Sequence, residues 1–369
     1  MAKLGDICTI QSGGTPSRSN KDYWDNGTIP WVKISDFTGK YLDHTSEKIT
    51  QAGLDGSSAK IFPKGTILYT IFATLGETCI LDIDATTNQA IAGLKLNDDS
   101  VSLDYLYYYL LSKKEYVNEI GRGVAQNNIN MKILRDMEIV IPPREEQNKI
   151  TDVLNKVYEL IDLRKEQLAK LDRLVKSRFI ELFGDPNTNP MKWKKEQLQI
   201  NATLLNGRAY KQDELLDDGK YPVLRVGNFF SNRGWYYSDL ELDEDKYCDD
   251  GDLLYAWSAS FGPRIWNGGK VIYHYHIWKV LVGEKYNKQF LCHLLDYATA
   301  SFMGDTHGIG MMHLTKSGME ETEFIVPPID LQDQFATFVE QTDKSKLAIT
   351  ETLKYLEELK ESLMAKYFE

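Results

Sequence analysis

The sequence is poor in cysteine, in histidine, in long apolar runs and in positive charge. Its four cysteines, Cys8, Cys79, Cys248 and Cys292, are scattered without a close pair. That spacing speaks against a disulfide framework and against a zinc site, and leaves them as reduced packing residues. No stretch approaches the roughly 18 apolar residues of a membrane span, and Met1-Ala2-Lys3-Leu4-Gly5-Asp6 leads into strand-like sequence without the apolar core of a signal peptide. No membrane association and a cytoplasmic location are the expectation. No Gly-x-x-x-x-Gly-Lys-Ser/Thr phosphate loop occurs. Lys and Arg number 43 against 54 Asp and Glu, a net charge of −11, which speaks against indiscriminate polyanion binding because such binding is driven by phosphate neutralisation. A nucleic-acid role would need local basic faces, or partners that supply much of the phosphate contact.

What is present is a repeat. Ile141-Pro142-Pro143-Arg144-Glu145-Glu146-Gln147 opens a long heptad-patterned segment ending at Phe183, and Val326-Pro327-Pro328-Ile329-Asp330-Leu331-Gln332 opens another ending at Phe368. Gln147 falls on Gln332 and Phe183 on Phe368 at one shift, half the chain. A fixed internal period describes architecture, so the chain reads as two copies of one unit, globular part first and long helix second.

Ile150, Leu154, Val157, Ile161, Arg164, Leu168, Leu171, Val175, Arg178 and Leu182 follow spacings of four and three, an a/d seam. Phe335, Val339, Thr342, Lys346, Ile349, Leu353, Leu356, Lys360, Leu363 and Tyr367 form the second seam. Pairing the two helices so that each basic residue meets an apolar partner avoids layers of two cations. Helices of this length are about 60 Å long, and an intervening domain about 37 Å across does not easily return the chain to the start of the first helix. Antiparallel packing is therefore expected, with a globular domain at each end and a pseudo-twofold relation between the copies.

In the first globular part, Ser12-Gly13-Gly14-Thr15-Pro16-Ser17-Arg18 is either a loop offering backbone N–H groups to an anion or a plain surface turn. Ile29 to Phe37 reads as a strand carrying Lys33 and Ser35. Thr87-Asn88-Gln89 holds side chains of the kind that read base edges, or that cap turns. Leu103 to Tyr116 reads as an amphipathic helix with core tyrosines. Gly121 to Asn130, with Arg122, Gln126 and Asn127, is a polar loop with a donor inventory suited to DNA. After the stop and linker at Gly184 to Pro190, the second part repeats the anchors. Tyr221 to Phe229 matches Ile29 to Phe37, Gly251 to Tyr255 matches Gly65 to Tyr69, Asn206-Gly207-Arg208-Ala209-Tyr210-Lys211 sits where the Gly-Gly loop was, and Gly308 matches Gly123. The insertions between anchors differ, as expected of two recognition modules with different targets.

Those anchors, together with Ile139-Val140-Ile141-Pro142-Pro143, Glu146-Gln147, Glu181-Leu182-Phe183-Gly184-Asp185-Pro186 and His276-Ile277-Trp278-Lys279, give the chain a resemblance to the specificity subunits of type I restriction-modification systems. It resembles them over its whole length. The resemblance implies an α+β fold: a target-recognition domain over residues 1–141, a long helix over 142–183, a linker at 184–191, a second target-recognition domain over 192–326 and a second long helix over 327–369. It also implies a non-catalytic subunit. Each globular domain would read half of a bipartite, asymmetric site on double-stranded DNA through the major groove, and the paired helices would set the gap. Two adenine methyltransferase (M) subunits would dock on the helices and bind S-adenosylmethionine, and restriction/translocase (R) subunits would bring ATP with Mg. No cofactor is expected in this chain itself.

The residues alone leave rivals. A base-extruding methyltransferase needs an Asn-Pro-Pro-Tyr-like motif, and the Pro-Pro pairs here stand in Ile141-Pro142-Pro143-Arg144 and Val326-Pro327-Pro328-Ile329. His274, His276, His307 and His313 raise a metal site, but His-x-His near aromatics reads better as a strand with one exposed face. A coiled-coil scaffold with two protein-binding heads also fits the pattern. The DNA-contact candidates are Ser12, Thr15, Arg18, Lys33, Ser35, Arg122, Gln126 and Asn127 in the first head. In the second they are Arg208, Tyr210, Lys211, Arg225, Asn228, Ser258, Ser260, Arg264 and His307.

Overall fold

A computed structural model describes residues 1–122, 128–231, 234–258, 260–304 and 314–368. The chain divides into two compact units, one of Met1–Arg164 with Thr352–Glu369, the other of Lys165–Glu351. Two helices of 40 residues each, Arg144–Phe183 and Ile329–Phe368, contribute to both. Each begins directly after a Pro-Pro pair, where the missing proline N–H costs nothing. The first helix ends at Gly184, whose φ of +73° is a left-handed stop that a side chain would resist; its N–H closes onto the Ile180 carbonyl at 2.8 Å.

In the first unit a five-stranded sheet runs in the order Cys8–Ser12, Ile91–Leu96, Ile67–Thr70, Thr78–Leu81, Tyr41–Leu42. A three-stranded sheet orders Glu47–Ile49, Ile29–Val32, Thr86–Thr87, and Ala2–Lys3 pairs with Glu138–Ile139. The core joins the large sheet to the helix Leu103–Ser112, where Tyr105, Tyr107, Tyr108 and Tyr109 are all buried. The amphipathic run does not continue unbroken to Tyr116. A turn at Lys113 ends this helix, a new one starts at Lys114, and the Lys113 ammonium donates to the Phe368 carbonyl at 2.7 Å. Ile150 and Leu154 of the first long helix share this core with Leu363, Tyr367 and Phe368 of the second, and Tyr158 feels the charge of Glu357. Here the two helices run antiparallel.

In the second unit, Ala202–Asn206, Ile277–Val282, Leu253–Ser258 and Ser260–Ile265 form one four-stranded sheet. Tyr236–Ser238, Tyr221–Leu224, Val271–Tyr273 and Tyr247–Cys248 form another, and Lys195–Gln197 pairs with Glu323–Ile325. The helix Lys288–Gly304 lies over the first sheet, and its Phe290 stacks 5.5 Å from Phe179. Phe179 and Phe183 meet Phe335 at 5.4 and 5.7 Å, and Lys346 Nζ lies 2.7 Å from Asp172 Oδ1. The helices again run antiparallel. Near its end the first helix buries Phe179 and Phe183 rather than the Arg178 and Leu182 of the expected seam, because the seam turns there to face Phe290 as well as Phe335.

A glutamine fixes each long helix to its unit. The fully buried Gln147 accepts from Ser102 N–H at 2.7 Å and donates to the carbonyls of Ser100 and Pro142, both at 2.8 Å. Gln332, equally buried, accepts from Asn287 N–H at 2.9 Å and donates to Lys285 and Pro327 carbonyls at 3.0 and 2.8 Å. One buried side chain thus partners three backbone groups, one of them buried and two part-buried in each unit. That explains why a glutamine stands at this point in both copies.

Candidate nucleic-acid interface

In each unit the chain crosses from one sheet to the other through a three-residue turn, Asn88-Gln89-Ala90 in the first and His274-Tyr275-His276 in the second. Main-chain hydrogen bonds hold both turns in the same frame. Ile91 and Thr87 carbonyls accept from Gly13 and Gly14 N–H at 3.1 and 2.8 Å, and Ile277 and Tyr273 carbonyls accept from Gly207 and Arg208 at 3.3 and 3.0 Å. Asn88 N–H donates to Val32, as His274 N–H does to Leu224. Ala90 accepts from Ile71, as His276 does from Trp257. The approach is so close that a Cβ at Gly13 would fall 2.0 Å from Thr87 Oγ1, and one at Gly207 would fall 2.4 Å from the His274 carbonyl.

This geometry removes one reading of the Gly-Gly loop. The N–H groups of Gly13 and Gly14 are consumed inside the unit, so that loop does not present them to an anion. It also corrects the His-x-His reading. His274, Tyr275 and His276 form a turn between sheets rather than a strand with an exposed face. Among the described residues no group of His, Cys, Asp and Glu is placed to hold a metal ion. His307 and His313 lie outside those residues.

Around the first turn, Thr15 Oγ1 is hydrogen-bonded to Gln89 Oε1, and Ser12 ends its strand opposite Ala92. Lys33 follows Val32 directly; its ammonium sits 2.7 Å from Glu47 Oε1, while Glu47 Oε2 takes the Arg18 guanidinium. Lys33, foremost, and Arg18 hold the Glu47 carboxyl below its ordinary value. Arg18 also lies 3.6 Å over Trp24 and 4.7 Å over Trp31. Ser35 is exposed on the short 3-10 turn Ile34–Asp36, where Asp36 accepts the Lys33 N–H at 2.9 Å. Arg122 closes the helix Lys114–Arg122; Gln126 and Asn127 lie outside the described residues.

Around the second turn the chemistry differs. Arg225, the counterpart of Lys33, is exposed, lies 5.2 Å from the Tyr236 ring, and has no carboxylate partner among the described residues. It lines a cleft of about 660 Å³ with Asn228, Trp235, Tyr236, His274 and His276. Asn228 Oδ1 accepts from Arg225 N–H at 3.4 Å. Burial, then the charges of His276 and Arg225, push His274 down to about 4, and burial and Arg225 lower His276. Tyr210 stacks on His274 at 6.4 Å, and Trp257 meets His276 edge-on at 5.1 Å while donating its Nε1–H to the Tyr275 carbonyl.

Not every candidate reaches this cleft. Arg208 is clamped in a bidentate pair with Glu214 at 2.9 and 2.7 Å, which holds that carboxyl at about 2, and Lys211 N–H caps the same carboxylate. Arg264 donates to the Phe229 carbonyl. Both are structural in this state. Ser258 and Ser260 face each other at the end of their hairpin. The residues that reading by sequence undervalued are Gln89 and Tyr275, at the exposed tips of the two turns. Setting Thr87 to Ile91 over Tyr273 to Ile277 was the signal that finds them.

Two α/β units, each carrying a differently furnished copy of one framed turn and sharing a pair of long antiparallel helices, define a duplicated recognition protein. A family model described as the type I restriction modification DNA specificity domain matches residues 1–173 and 190–361, and the chain belongs to that family. It is 26% identical over 399 residues to the type I restriction enzyme MjaIX specificity subunit of Methanocaldococcus jannaschii, covering 99% of this chain and 91% of that one. It is 29% identical to the HindI specificity subunit of Haemophilus influenzae over 42% of this chain and 35% of that one. Its fold is similar to the crystal structure of the S subunit from M. genitalium, with a TM-score of 0.60 at 16% identity, covering 100% of this chain and 95% of that one. A chain from a structure on assembly and conformational transition of the type I R-M system gives 0.62 at 17%, covering 100% and 96%. Among the described residues no helix is long and apolar enough to cross a membrane.

Proposed function

We infer that this chain is the DNA-recognition subunit of a type I restriction-modification system. The observation that carries the reading is the framed turn, present once per unit with the backbone held constant and the side chains changed. A fixed scaffold with exchanged polar side chains is how two modules read two different sequences. Taking residues 1–141 and 192–326 as the two target-recognition domains, each contacts one half of a bipartite double-stranded DNA site, and the long helices set the number of base pairs between the halves. The chain itself is non-catalytic. Two adenine methyltransferase subunits dock on the helices and bring S-adenosylmethionine, and restriction/translocase subunits bring ATP and Mg. Its acidic balance suits a reader whose partners neutralise much of the phosphate charge. A cytoplasmic location follows from the same role.

The test is selection of duplexes from a randomised pool by the purified chain in complex with its methyltransferase partner, repeated between 50 and 200 mM salt, a range over which phosphate-dependent affinity falls by orders of magnitude. The expected result is one enriched bipartite sequence whose affinity drops steeply with salt. A coiled-coil scaffold would enrich no sequence.

A further inference from the structure

Nothing in the family likeness says which residues of this chain choose the bases. We propose that the inter-sheet turns are the specificity-determining elements, Gln89 for one half-site and Tyr275 with His276 for the other. Lys33 and Arg225 are the adjacent cations that seat each turn against the DNA. The proposal rests on the DNA-reading function inferred above and assigns residues within it.

Three observations converge on these turns. Main-chain hydrogen bonds hold the first turn on either side of Gln89, at Asn88 and Ala90, and hold all three residues of the second turn, so the backbone that carries the tip side chains is fixed. Gln89 and Tyr275 are exposed at the tips, and each turn is braced from the loop following the glycine of its frame, by Thr15 on Gln89 and by Tyr210 on His274. The residue after the frame strand is a cation in both units, Lys33 or Arg225, and in the second unit that cation shares its cleft with both histidines.

The side-chain chemistry suits base edges. The Gln89 amide has a donor and an acceptor side by side, the pattern that pairs with adenine in the major groove. With its low pKa, His274 is neutral near pH 7; His276 N–H donates to its Nδ1 at 3.4 Å, which leaves its proton on Nε2 as a donor. Tyr275 adds a hydroxyl and His276 a second imidazole, both backed by Trp257. The Arg225 guanidinium, in no ion pair among the described residues, can bind phosphate or the O6 and N7 edge of guanine, with Asp217 on the wall of the same cleft.

The experiment is the duplex selection above, run on full-length chains carrying Gln89→Ala, Tyr275→Ala or His276→Ala in complex with the methyltransferase partner. Gln89→Ala is expected to relax one or two positions in one half-site, and the other two substitutions to relax positions only in the other half. The loss of discrimination is roughly 5- to 150-fold per position, the worth of one good base contact. Variants that unfold on thermal melting are replaced by Gln89→Glu and Tyr275→Phe, which keep the shape and are expected to change or relax the preferred base. An unchanged sequence with undiminished discrimination overturns the proposal and leaves the function standing. If the unaltered chain enriches nothing, the function falls and the proposal with it.

Discussion

The two units share a frame and differ in how they treat charge. In the first, the cation beside the turn is neutralised from within, since Glu47 holds both Lys33 and Arg18. In the second, Arg225 makes no ion pair among the described residues, although Asp217 lines the same cleft, and the turn beside it carries two titratable rings where the first has Asn88 and Ala90. The seams differ too. The second unit closes its helix pair with phenylalanines packed edge-on, Phe179 and Phe183 against Phe335, the first with Ile150 and Leu154 against Phe368. Backbone hydrogen bonds set where the turn stands, so side-chain substitutions can diverge without moving it.

The largest effect on this comparison is expected in the seams. Phe179 is fully buried and touches Phe183, Phe290, Tyr297 and Phe335. Phe179→Ala should destabilise the protein by about 3–5 kcal/mol, and Leu154→Ala in the first unit by about 2–5 kcal/mol, read by urea denaturation. A loss below about 1 kcal/mol from Phe179→Ala would mean the aromatic seam is not the anchor described, since buried aromatics cost far more to remove.

The glutamines come next and should erase the difference between units. Gln147→Ala and Gln332→Ala each remove the partner of three backbone groups, one buried and two part-buried, so both should cost about 1–3 kcal/mol. A cost at one site with none at the other would break the equivalence of the two helix attachments.

Charge separates the units again. Arg225→Ala should weaken binding at one half-site by about 1–3 kcal/mol, while Lys33→Ala should weaken the other half by less, because Lys33 must first leave Glu47. Glu47→Gln should narrow the gap by releasing Lys33 and Arg18, seen as tighter binding and a steeper salt dependence. Equal losses at both half-sites from Arg225→Ala would sink the assignment of one half to each unit.

The last effect is in pH. The His274 imidazole titrates near 4 in the folded chain against an ordinary 6.5, so the unfolded state takes up its proton first. Stability is fully present above about pH 6.5 and declines as pH falls toward 4. His274→Asn, which installs the residue found at the matching position of the first unit, should flatten part of that decline in thermal melts. An unaltered pH profile would show that this burial does not shift the histidine.

Much of this was legible in the sequence, because repeats and heptads are written in periodicity. The match of Tyr221 to Phe229 with Ile29 to Phe37 is drawn again by the shared bonds of Val32 and Leu224 to the turns. The Gly251 anchor matches Gly65 in its positive φ, +87° and +83°. What escaped depends on how the chain folds back on itself. Alternation of His274, Tyr275 and His276 looks the same in a strand and in a turn. Residue type alone does not say that Arg208 is clamped by Glu214, six residues on, or that Arg264 is committed to the Phe229 carbonyl. The N–H groups of Gly13 and Gly14 look free until the chain at Thr87 and Ile91 comes back to take them.

The most direct test of the central claim is methylome sequencing of a host that carries this chain with its methyltransferase partner, against the same host lacking this chain alone. The account predicts that one bipartite adenine-methylated motif disappears with the chain, its two halves being the targets of the two units. Retention of every motif, in a host where the methyltransferase is expressed and active, would contradict it.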